Sequence, residues 1–142
     1  ATGDAVVDSG GDTPNSIAAG HDVKLVALGA LGGEVDAEHD AAVEVWGDAT
    51  QKISAGNNAT VEVNGSLSGD VEATLGSATV DVAGDHPNQV EAGANAIVNT
   101  GGTQGGLVEA GLVAGDVTGK GRKKTRGGRR HPFFSMVTLL EP

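Results

Sequence analysis

Hydrophobic and polar residues alternate along most of this chain, and a period of two is the pattern of β-strands with one buried face. In His21–Leu28, for example, Val23, Leu25 and Ala27 fall on one face of a strand and Lys24, Val26 and Leu28 on the other. Both faces are mostly apolar, so this strand is expected to be central in its sheet. No apolar stripe with helical spacing persists beyond one turn, so the pattern predicts no helix. Further strands are predicted at Ala42–Trp46, Thr60–Val63, Val71–Leu75, Ala78–Val82, Ala96–Val98, Leu107–Val113 and Met136–Leu140.

A short motif occurs three times in the middle of the chain. It begins at Val43, Val61 and Val80, so its starts are 18 and 19 residues apart. Each copy reads Val-acid-Val and is followed closely by a glycine that permits a tight turn. A longer echo relates Gly33–Ala37 to Gly69–Ala73. The repeat indicates that one structural unit recurs along the chain.

Two all-β architectures are compatible with short strands and this repeat. In a β-solenoid each repeat is one coil and the valines stack inside, whereas in a sandwich or barrel each repeat is a hairpin arm and its return. The motif does not continue beyond Asp85, and His86–Asn88 interrupts it. We therefore expect a compact β-sandwich or barrel of short antiparallel strands, preceded by an extended N-terminal arm at 1–20, with the β-solenoid as the alternative.

Composition restricts the chemistry that the chain can perform. Its 142 residues suit a single domain, and the absence of cysteine excludes disulfides, thiolate zinc sites and a cysteine nucleophile. The serines lack the context of a catalytic nucleophile, and the glycine-rich segments lack a phosphate-loop ending. Histidines occur singly, without metal-ligand spacing, at 21, 39, 86 and 131. We expect a protein that is not an enzyme and holds no cofactor or metal.

Charge is distributed very unevenly. Residues 1–119 contain 18 acidic and two basic side chains, whereas residues 120–131 contain seven basic side chains and no acidic one. An acidic, lysine-poor body is typical of a halophilic protein, in which salt screens self-repulsion. The charge pattern divides the chain after its arm into an acidic β domain at 21–119, a basic loop at 120–131 and an apolar C-terminal strand at 132–142.

The basic loop and the apolar strand are the predicted partner-binding region. The loop's cations face an acidic body, so we expect them to bind the acidic surface of a neighbouring copy or partner rather than nucleic acid. The apolar segment after them needs cover from water and is expected to anchor the contact. The candidate residues are Lys120, Arg122, Lys123, Lys124, Arg126, Arg129, Arg130, Phe133, Phe134, Met136 and Leu139.

The overall layout resembles the small decoration, or cement, proteins of tailed-virus capsids. The resemblance lies in the glycine-rich, aromatic-poor β composition and in the segments Ser16–Val23, Leu107–Val113 and Met136–Leu140. It implies a virion structural protein without catalysis. Such proteins typically form trimers on the capsid surface and clamp neighbouring copies of the major capsid protein.

A second resemblance is to bactofilins, which are polymerising β-solenoids. Val61–Ala73 is similar to one of their coils. This resemblance implies a self-polymerising filament, cytoskeletal or extracellular, as the alternative function.

Overall fold

The computed structural model describes residues 2–111, 113–117 and 120–125, which contain fourteen β-strands and no helix. The strands form two parallel seven-stranded sheets, one made by the odd-numbered and one by the even-numbered strands. In chain order they are β1 (Ala5–Ser9), β2 (Ile17–Ala19), β3 (Val23–Ala27), β4 (Val35–Ala37), β5 (Ala41–Val45), β6 (Ile53–Ala55), β7 (Ala59–Val63), β8 (Val71–Ala73), β9 (Ala78–Val82), β10 (Val90–Ala92), β11 (Asn95–Thr100), β12 (Thr103–Ala110), β13 (Val113–Val117) and β14 (Lys120–Thr125).

The chain winds as a β-solenoid, so the prediction of an antiparallel sandwich or barrel is wrong and its stated alternative fits. Each strand pairs in parallel with the strand one coil later, as Val43 does with Val61 and Val61 with Val80. We number the coils by their residues: coil 1 is 5–22, coil 2 is 23–40, coil 3 is 41–58, coil 4 is 59–77, coil 5 is 78–95 and coil 6 begins at 96. Within each coil one odd-numbered and one even-numbered strand form two sides of the solenoid.

A narrow third side joins the two sheets. Isolated parallel bridges there connect Thr13 to Leu31, Leu31 to Ala49 and Ala49 to Leu67, and a further bridge connects His86 to Gln104. The coil therefore continues through His86–Asn88, the segment that was expected to interrupt it. The repeat was lost in sequence at this point because His86 and Gln104 occupy a position that coils 2 and 4 fill with leucine.

The interior is a stack of small and branched apolar side chains. Val23, Leu25 and Ala27 are buried, whereas Leu28 on the opposite face is 54% exposed, so only one of the two apolar faces of that strand lies inside the solenoid. Valines at one position of successive coils, such as Val43, Val61 and Val80, stack at the strand spacing of about 4.8 Å. Close-packed rows of this kind bury the inward side chains of coils 2 to 5 almost completely.

One residue lengthens a single coil without disturbing the stack. In coil 3, the backbone N–H groups of Gly56 and Asn57 bond to coil 2. In coil 4, Thr74 and Gly76 make the equivalent two bonds to coil 3. Leu75 lies between them and is therefore the extra residue. Leu75 lies at a corner and is 76% exposed. This insertion explains why the two repeat spacings in the sequence differ by one.

Two predicted segments have a different structure from the one expected. The N-terminal arm at 1–20 contains β1 and β2, which belong to the first coil. The basic loop at 120–131 begins with β14, an edge strand of the even-numbered sheet. The resemblance to decoration proteins implied the arm, and the run of cations predicted the loop, but the backbone pairing of a parallel ladder does not depend on which side chains a strand carries.

Candidate assembly surfaces

Polar side chains at one corner link each coil to the next. The Oδ1 atom of Asp4 accepts the backbone N–H of Asp22, and Asp22 accepts that of Asp40 in the same way, at 3.3 and 3.2 Å. Asp40 and Asn58 continue the row by accepting the N–H groups of Asn58 and Ser77 at 3.0 and 2.9 Å. These side chains are therefore hydrogen-bond acceptors for the backbone at the corner, and the aspartates among them also add negative charge to the surface.

A second corner has the same arrangement. Asp12 accepts the backbone N–H of Ala30 at 2.9 Å, and Asp85 accepts that of Thr103 at 2.8 Å. From coil 2 onward, the residue that precedes each member of this row is a glycine. Its backbone lies so close to the preceding coil that there is no space for a side chain. A Cβ atom on Gly65, for instance, would lie 2.7 Å from the carbonyl oxygen of Gly47. These two features hold neighbouring coils in a single register.

Around strands β6, β8 and β10, the outer face of the even-numbered sheet is acidic, and Lys52 is the cation that lies among these acids. A shallow groove there is lined by Lys52, Asp70, Glu72, Gln89 and Glu91. Lys52 forms an ion pair with Glu72, and this hydrogen bond is the main reason that the pKa of Lys52 is raised. Because the pair is largely exposed, it adds little to stability and is weakened by salt.

The odd-numbered sheet has an apolar patch at its corner. Leu28 and Trp46 occupy the same position in coils 2 and 3 and are 54% and 56% exposed. The indole N–H of Trp46 donates to Glu44 at 3.0 Å, which fixes the orientation of the ring. This pair was not predicted as a surface feature. Once the coil length of 18 residues is known, the sequence does show that Leu28 and Trp46 occupy the same position in neighbouring coils.

Two histidines form a stack beside the first corner row. The rings of His21 and His39 lie 4.7 Å apart and nearly parallel, and the His21 Nδ1 atom is 3.7 Å from Asp4. Within the described residues, no group of three or more His, Cys, Asp or Glu side chains is arranged to hold a metal ion.

The inward-facing side chains of the first coil are more exposed than those of later coils. Ala5, Val7 and Ile17 are only partly buried, whereas the equivalent residues Val23 and Leu25 of coil 2 are 1% exposed. In a parallel ladder, alternate residues of a strand bond to the same neighbour, so half of the backbone groups of β1 point away from β3. The edge of β1 is therefore able to pair with a further strand.

The predicted partner-binding residues divide into two groups. Lys120, Arg122, Lys123 and Lys124 lie in β14, whose register aligns Lys124 with Glu109 of β12. The remaining candidates, Arg126, Arg129, Arg130, Phe133, Phe134, Met136 and Leu139, lie outside the described residues, as do the predicted strand Met136–Leu140 and the apolar segment 132–142.

No helix in the part of the chain that the structure describes is long and apolar enough to span a membrane. Comparisons of the chain with protein-family models, with curated proteins and with solved structures found no match. The resemblances to capsid decoration proteins and to bactofilins therefore stay predictions.

Proposed function

We propose that this chain is a non-enzymatic structural protein that polymerises by stacking its coils into a filament. The observation that supports the proposal best is the constancy of the coil. Val43, Val61 and Val80 pair in register although the coils that carry them differ in most outward residues. A coil that packs on its neighbours through the same backbone, apolar and corner contacts at each step is able to pack on the same surface of a second copy.

Coil 1 supports the proposal in a second way. A further coil stacked on β1 would complete the burial of Ala5, Val7 and Ile17, which are partly buried in the single chain. It would also pair the outward backbone groups of β1. Burial of apolar area is the general source of association energy, so this edge of the solenoid is a favourable site for a second copy.

The acidic faces define the conditions under which filaments should form. Copies that carry a formal charge of −10 repel one another at low ionic strength. Because the Debye length falls to about 3 Å at 1 M salt, concentrated salt removes most of that repulsion. We therefore place the filament, whether cytoskeletal or extracellular, in a halophilic source.

A second candidate is the decoration of a viral shell. Its support is the concentration of four cations in β14, at the end of a strongly acidic body, because such a strand suits an acidic capsid surface. In this proposal the partner is the major capsid protein, the chain acts as a trimer on the virion, and binding to the assembled shell stabilises the shell by mass action.

Sedimentation velocity and negative-stain microscopy in low and multimolar salt distinguish the two candidates. We expect unbranched filaments that lengthen as salt rises. The variant Val7→Glu places a charge in the partly buried end of the core and should stop elongation, whereas the matched control Val6→Glu changes a residue that is 74% exposed and should not. Monomers or closed small oligomers in both salts would contradict the filament and favour decoration.

A further inference from the structure

One buried pair interrupts the apolar interior of the solenoid. His86 and Gln104 are both 0% exposed, and they occupy equal positions in coils 5 and 6. Leucine fills that position in coils 2 and 4, where Leu31 and Leu67 are also 0% exposed. A polar pair in place of leucine needs hydrogen-bond partners inside the core, since a buried polar group without a partner destabilises the folded state.

The orientation of Gln104 is determined by its surroundings. Its Nε2 atom donates to the carbonyl oxygens of Asn88 and Gly106 at 3.2 and 3.1 Å. A rotated amide would place Oε1 against those two carbonyl oxygens, which have no proton to donate. Gln104 therefore presents Oε1, an acceptor, to the ring of His86.

The ring of His86 consequently faces two acceptors. Its Nδ1 atom is 2.9 Å from Gln104 Oε1, and its Nε2 atom is 3.2 Å from the carbonyl oxygen of Gly69 in coil 4. A neutral imidazole has one N–H and therefore satisfies one of the two contacts, whereas an imidazolium has two and satisfies both. The charged ring, however, would be a cation in an apolar interior.

Burial decides between these two states. It is the largest influence on the ring and lowers the pKa of His86, while the contacts with Gly69 and Gln104 and the charge of Asp70 oppose it. Asp70 follows Gly69 in coil 4 and is the charged group whose field reaches the ring, while Gln104 and Asn88 are neutral. The fold therefore favours the neutral ring at neutral pH.

We propose that His86 and Gln104 form an acid-sensitive contact that controls local opening of coils 4 to 6. At neutral pH the uncharged ring is buried and bonds to Gln104. In mild acid the ring takes up a proton, and opening of the coils exposes the resulting cation to water. The contact thus couples the integrity of one part of the solenoid to pH, independently of whether the chain forms filaments.

The sign of the effect follows from the direction of the shift. Because the folded state lowers the pKa of His86 below its ordinary value of 6.5, the neutral ring contributes full stability above that value. That contribution is lost as pH falls through the lower pKa of the folded state. Acid therefore destabilises coils 4 to 6 through this residue.

Hydrogen exchange measured residue by residue at pH 7.5 and pH 5 tests the proposal on the full chain. We expect the protection factors of the coil 5 amides to fall about tenfold more than those of coils 2 and 3. The double variant His86→Leu/Gln104→Leu, which follows the leucine pattern of coil 4, should remove this difference. His39→Gln, a change at an exposed histidine, should leave it unchanged.

A titration of the His86 ring by NMR in the unmodified protein keeps the test decisive if the leucine variant fails to fold. We expect a midpoint below about 6.5. A higher midpoint, an equal loss of protection in all coils, or acid sensitivity that persists in a folded leucine variant would each overturn the proposal.

Discussion

The Oδ1 atom of Asp48 accepts a hydrogen bond from the backbone N–H of Ser66 at 2.8 Å, and the two residues are 18 positions apart. Asp85 makes the same bond to Thr103 two coils further along the corner. Aspartate at this corner thus supplies an acceptor to a backbone group that the turn leaves outside the sheet ladder. The acidity of the chain is partly a consequence of this architecture.

Replacing Asp48 with alanine should remove this link between coils 3 and 4. We expect the free energy of unfolding to fall by about 1 kcal/mol, because one hydrogen bond to a charged but exposed acceptor is lost. Urea denaturation followed by circular dichroism measures the change. Glu62→Ala is the control, since Glu62 is an exposed acid on the outer face of β7 and its loss should change stability by less than about 0.5 kcal/mol.

A methyl group at the close corner should be far more damaging. In Gly65→Ala the new Cβ would lie 2.7 Å from the carbonyl oxygen of Gly47, so the two coils would have to separate. We expect a loss of about 2 kcal/mol or more. Gly11 occupies the same position in coil 1 and has no atom within 4 Å of an added Cβ, so Gly11→Ala should be tolerated. Equal melting temperatures for the two variants would contradict the packing argument.

Two leucines allow a core position to be compared with a corner position. Leu67 is 0% exposed and Leu75 is 76% exposed. Leu67→Ala should cost about 2–5 kcal/mol because it leaves a cavity in the stack. Leu75→Ala should change stability by less than about 0.5 kcal/mol.

Deleting Leu75 tests the interpretation of the insertion. Its removal restores an 18-residue spacing between β7 and β9 without moving any core residue to the other face, so the variant should fold. Deleting Val61 instead should prevent folding, because a shift of one residue turns Val63 toward water. A folded Val61 deletion would show that the register is less constrained than the structure implies.

Neutralising the basic segment should separate assembly from folding. We expect the combined replacement of Arg122, Lys123, Lys124 and Arg126 by glutamine to weaken assembly much more than it lowers the melting temperature, since these charges are expected to act between copies. Lys24→Gln is the control at an exposed lysine of β3. Unchanged sedimentation of the variant would remove the basic segment from the assembly surface.

Much of the local structure was predictable from the sequence. The alternation of residues placed Val23, Leu25 and Ala27 together on one face of a strand, and the spacing of Val43, Val61 and Val80 equals the coil length. The three-residue strands β4, β6 and β10 were less accessible, because such short segments barely display an alternating pattern.

The partner of each strand was decided only by the tertiary structure. Alternation places Val61 and Val63 on one face of a strand, but it does not say whether that strand returns as a hairpin or continues as a coil, and it did not settle which face is buried. The pairing of His86 with Gln104 was equally hidden, since neither residue fits the apolar pattern and the contact joins residues 18 positions apart. The sequence determined the longer strands, the residues that share a face and the period, because these depend on neighbours along the chain. The parallel winding and the buried polar pair depend on residues one coil away, which come together only when the backbone ladder closes.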